Sequence, residues 1–72
     1  MTTLEFQGHS FSIENDAKRF LEKYLKRIDS YAQKHHIDTD VVDDIYQSIL
    51  EKLFEIKKPI SQKKLITIVN AL

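Results

Sequence analysis

The sequence predicts an α+β fold, mostly helical, in which a small N-terminal β-hairpin packs on a three-helix unit. Three observations predict it. Thr2 to Ile13 alternates apolar and polar residues about the only glycine, Gly8. Ala17 to Ala32 and Val42 to Ile56 repeat apolar residues at the three- and four-residue spacing of a helix face. Leu65, Ile68, Val69 and Leu72 repeat that spacing after Pro59. With 72 residues the chain makes one domain, 1–72.

The hairpin follows from register. With Gln7-Gly8 as the loop, Phe6 faces His9, Leu4 faces Phe11 and Thr2 faces Ile13, all on one side. Thr3, Glu5, Ser10 and Ser12 take the other side, and a one-residue slip would destroy this sorting. A lone hairpin is marginal in water, so its apolar side must lie on helices.

The first helix is expected from about Asp16 to about His36, with Asn15 as its N-cap. Phe20, Leu21, Tyr24, Leu25, Ile28 and Tyr31 form its apolar stripe, and Lys18, Arg19, Glu22, Lys23, Lys26 and Arg27 its solvated face. Asp38 or Thr39 caps the second helix, and with Asp38 as the cap Ile37 staples onto Val42. Asp40, Asp43 and Asp44 crowd the first turn, where the helix dipole favours negative charge. Pro59 stops that helix. Ser61 then caps the third, with Ile60 stapled onto Leu65. The expected core comprises Leu4, Phe11, Ile13, Phe20, Leu21, Tyr24, Leu25, Ile28, Ile45, Ile49, Leu53, Leu65 and Val69. Leu72 ends the chain while the third helix is still apolar and has no glycine cap, so the chain reads as the N-terminal piece of a longer protein.

Composition narrows the function classes. Basic and acidic residues balance at 11 each, which argues against bulk attraction to nucleic acid or anionic lipid. Cysteine is absent, which excludes disulfides and thiolate metal sites. No apolar run approaches the roughly 20 residues of a membrane span, and MTTLEFQG does not read as a signal peptide.

Candidate sites are few. His35 and His36 with Asp38 and Asp40 suggest a metal, but adjacent helical residues point about 100° apart and make poor co-ligands. Asp38, Asp40 and Asp43 resemble half a calcium loop without its turn glycine or distal glutamate. No nucleophile elbow, phosphate loop or cysteine nucleophile is present, so no catalytic, cofactor-binding or metal site is expected. Leu50 and Phe54 lie off the main stripe of the second helix and form a candidate partner surface. An alternative is a helix-turn-helix-like segment over 57–72. In it Lys57, Lys58, Ser61, Gln62, Lys63 and Lys64 would contact nucleic acid at a helix N-terminus.

The run F-S-I-E-N-D-A-x-x-x-L-x-x-Y-L-x-x-I, Phe11 to Ile28, resembles the N-terminal segment of phage-shock-protein-C-type (PspC domain) bacterial membrane proteins. Those segments begin with a short glycine-containing hairpin and continue into a helix of the form D-I-E-x-R-I-A-E. Here Asp44, Ile45, Ile49 and Glu51 match it, while Tyr46, Ser48 and Leu50 depart. A third helix then leads to Gly-x-Pro, and ITIVNAL stops where that glycine would come. The resemblance covers nearly the whole chain. It implies a cytoplasmic, non-enzymatic regulatory or interaction domain of an envelope-stress protein, at the cytoplasmic face of the bacterial inner membrane. The expected function is therefore protein–protein interaction without a cofactor. The partner is another protein or a second copy of the chain, and an unpaired hairpin edge is a further contact surface.

Overall fold

Alternation about Gly8 produces the hairpin in the expected register. The computed structural model describes residues 1–56 and 59–71. In it β1 (Thr2–Phe6) and β2 (His9–Ile13) are antiparallel, with Leu4 opposite Phe11 and Phe6 opposite His9. Gln7 and Gly8 both have positive φ, 52° and 80°, which is the type I′ turn that matches strand twist. Leu4, Phe6, Phe11 and Ile13 are buried, and the intervening residues are exposed.

Among the described residues three helices follow: α1 (Asn15–Lys34), α2 (Thr39–Glu55) and α3 (Gln62–Ala71), so the fold is α+β and mostly helical. Asn15 is the first residue of α1 rather than its cap, because Glu14 stays extended at φ −71°, ψ 150°. The reason lies elsewhere in the chain. Ile60 forms a parallel bridge with Ile13: its N–H donates to the Ser12 carbonyl and its carbonyl accepts from Glu14 N–H, both at 3.0 Å. The hairpin edge formed by β2 is thereby partly closed, and β1 forms the other edge of the sheet.

The α1–α2 connection is short and tightly hydrogen-bonded. Ile37 N–H donates to Ala32 O at 2.9 Å and His36 N–H to Gln33 O at 3.5 Å. This is the Schellman arrangement, with His36 at φ 52° where glycine is usual. Asp38 caps α2, and its carbonyl accepts from Val41 and Val42 N–H. The helix ends at Glu55, ahead of Pro59, as Ile56 turns extended. Ser61 opens α3, its Oγ accepting Lys64 N–H at 3.4 Å, with Ile60 and Leu65 fully buried as the staple.

The core sits at one end of the α1–α2 hairpin. Ala17 and Leu21 of α1 meet Ile49, Leu50 and Leu53 of α2, the inner face of the β-hairpin, and Ile60, Leu65 and Ile68. Several expected core residues are only half-buried: Phe20, Tyr24, Leu25, Ile28, Ile45 and Val69. Length explains most of this. The 20 residues of α1 extend about 30 Å, whereas the 10 described residues of α3 extend about 15 Å. The far end of the helical hairpin projects from the core, and the molecule is elongated, 36 × 22 × 19 Å.

Candidate functional site

The projecting end carries an apolar groove of about 370 Å³ between α1 and α2. Tyr24, Ile28, Tyr31 and Ala32 line it from α1, with Arg27 at the rim. Val41, Val42 and Ile45 line it from α2, and Ile37 closes the connection end. Periodicity puts these residues on one side of the hairpin, and the Schellman turn aims Ile37 inward against Ala32. Tyr31 is 60 % exposed and Val41 48 %, so the groove opens to solvent through a large aromatic and a β-branched side chain. The Tyr31 ring also lies against the His35 ring, with centroids 4.3 Å apart.

Charge flanks the groove with opposite signs. A shallow depression on α1 is lined by Lys23, Lys26, Arg27, Ser30, Tyr31 and Lys34, so it shares Arg27 and Tyr31 with the groove. On the α2 side Asp40 and Asp44, one turn apart, flank Val41, and both are exposed.

The opposite side of the hairpin is braced. Tyr46 donates its hydroxyl to Asp29 Oδ1 at 2.5 Å, with the Leu25 carbonyl at 3.4 Å, and its ring meets Phe6 edge-on at 5.9 Å. Burial, then the Asp29 hydrogen bond and the negative charges of Asp29 and Asp43, push the Tyr46 phenol up from 10.0 to about 12. A raised phenol favours folding below its unfolded value, and that benefit is lost as pH rises through the folded one. Tyr46→Phe is expected to cost about 1 kcal/mol at neutral pH through the lost hydrogen bond. Urea midpoints of the two proteins should converge between pH 10 and about 12. A gap that stays constant across that range would show that the hydroxyl does not brace the helices.

The sequence-predicted partner surface divides. Leu50 is buried at 5 % exposure within the core, so it offers nothing to a partner. It reaches the core because the β-hairpin lies against the widened side of α2. Phe54 is 54 % exposed, its ring packed on those of His9 and Phe11 at 4.9 and 5.3 Å. The candidate nucleic-acid residues also divide. Lys57 and Lys58 lie outside the described residues. Ser61 and Gln62 are half-buried, with Ser61 Oγ engaged in capping α3, while Lys63 and Lys64 are exposed. Among the described residues no three His, Asp or Glu side chains gather as a metal site, and no helix is long and apolar enough to cross a membrane.

Sequence patterning missed the groove. Its signal was available in the apolar stripe of α1, which runs on past Ile28 to Tyr31 and Ala32.

Comparison with protein-family models, curated proteins and solved structures finds no match to this chain.

Proposed function

We propose that this chain is a non-enzymatic protein–protein interaction module that associates with itself through the open end of its helical hairpin. The observation that carries this reading is the apolar groove, with Tyr31 and Val41 exposed above a floor of Ile28, Val42 and Ile45. Apolar surface of this kind, rimmed by charge, marks contact sites rather than solvated faces. A domain this small also gains stability by burying such a face on a partner. Balanced charge supports a protein surface over a nucleic-acid one. The resemblance of Phe11–Ile28 to PspC-type proteins supports a regulatory setting at the cytoplasmic face of a bacterial inner membrane.

Solution mass by light scattering across a concentration series tests the reading. The wild type should rise from 8.5 kDa towards twice that value. Val41→Glu places a charge over the groove at an already exposed position, so it should remain monomeric while melting like wild type. Phe54→Glu should still associate. A wild type that stays monomeric at millimolar concentration would exclude self-association. Dissociation by Phe54→Glu alone would move the contact to the Phe54, His9 and Phe11 surface.

A further inference from the structure

We infer that the groove's occupant is the same groove of a second copy, set by a two-fold axis running lengthwise between the two hairpin tips. In that arrangement the cationic α1 rim of each copy lies on the acidic α2 rim of the other. This inference rests on the self-association proposed above and specifies its geometry.

Charge complementarity carries it. The α1 side of the groove offers Arg27 and Lys34, and the α2 side Asp40 and Asp44. Lys34 and Asp40 both stand in the turns next to the connection, and Arg27 and Asp44 stand further from it. A two-fold axis along the hairpin keeps each residue at its own level and exchanges α1 for α2. Arg27 then comes level with Asp44 of the second copy, and Lys34 with its Asp40. Each pair occurs twice, as an isologous contact requires. A single acidic helix in the groove would satisfy the α1 rim and be repelled by the α2 rim, and a basic one the reverse. A two-fold axis perpendicular to the hairpin would set α1 on α1 and like charge on like. Of these arrangements only the lengthwise two-fold pairs both rims. The apolar floor supplies the attraction, and the rims select the orientation.

A charge-swap experiment tests it. One variant carries Arg27→Glu and Lys34→Glu, the other Asp40→Lys and Asp44→Lys. Circular dichroism establishes that each folds. Each alone should dimerise at least roughly tenfold more weakly than wild type, because attraction becomes repulsion at every pair. An equimolar mixture should regain a dimer near wild-type strength, since each altered rim then meets its opposite. The neutral variants Asp40→Asn and Asp44→Asn, combined, keep the helix start intact. They should show intermediate weakening and a flatter salt dependence than wild type. A wild-type dimer whose two reversed variants each dimerise as well as it does would overturn the orientation and leave self-association standing. The orientation is equally overturned if the mixture of reversed variants regains nothing, or if the neutral variant equals wild type at low salt. A monomeric wild type would overturn both.

Discussion

Phe11→Ala is expected to leave no cooperatively folded domain at room temperature. Phe11 is 1 % exposed and sits mid-strand opposite Leu4, on the hairpin face that covers α1 and α2. Removing a buried phenylalanine costs about 3–5 kcal/mol, part in lost transfer and part in the cavity left behind. A single core in a chain of this size supplies roughly that much net stability and no more. No disulfide stands behind it. The neighbouring Phe54 ring, 5.3 Å away, loses its packing partner as well. Thermal melting followed by circular dichroism reads the result. A sigmoidal transition within a few degrees of wild type would mean that the hairpin face is not part of the core. Phe20→Ala is the natural contrast. Sequence periodicity places Phe20 in the core, but its ring is only half-buried, so its loss should leave a folded protein with a lowered midpoint.

How much was legible in the sequence follows from how local each signal is. The hairpin register could be read because sorting, turn and glycine agree over twelve neighbouring positions, Thr2 to Ile13. The staple at Ile60 and Leu65 could be read because it spans only a few residues. What could not be read depends on which elements lie side by side. Periodicity says that Tyr24, Ile28 and Tyr31 share a face with Leu21, but not that they stay half-buried or exposed while Leu21 is fully buried. It likewise cannot tell which side of α2 meets the sheet, so Leu50 reads as a spare apolar residue when it belongs to the core. Asn15 is the better cap by residue type, yet the contact with Ile60, far along the chain, holds Glu14 extended and takes the cap position. Opposed charge rims are visible in the sequence as separate runs. Only the short α1–α2 connection brings them to the two sides of one groove.

Ile60→Ala is expected to be nearly as damaging as Phe11→Ala, and in a different way. Ile60 is one residue between a proline and a helix cap, and by sequence alone it is a staple. In the fold it is fully buried and also binds both neighbours of Ile13 through its main chain. It is therefore the point at which α3 is tied to the sheet. Truncation removes the side chain and leaves the backbone partners intact, at a cost of about 2–5 kcal/mol. The loss should fall first on α3, whose contact with the sheet runs through this residue. Hydrogen exchange is the appropriate measurement, because it separates local opening from global unfolding. Amides of Glu14, Ile60, Leu65 and Ile68 should lose protection together, by more than the amides of Leu4 and Phe11 across the hairpin. Uniform loss at every amide would mean that Ile60 contributes only volume to one cooperative core. Unchanged protection in α3 would mean that the bridge to Ile13 does not hold the helix in place. Ile60→Val, which keeps the branch and removes one methyl, should cost about 1 kcal/mol and preserve the pattern of protection.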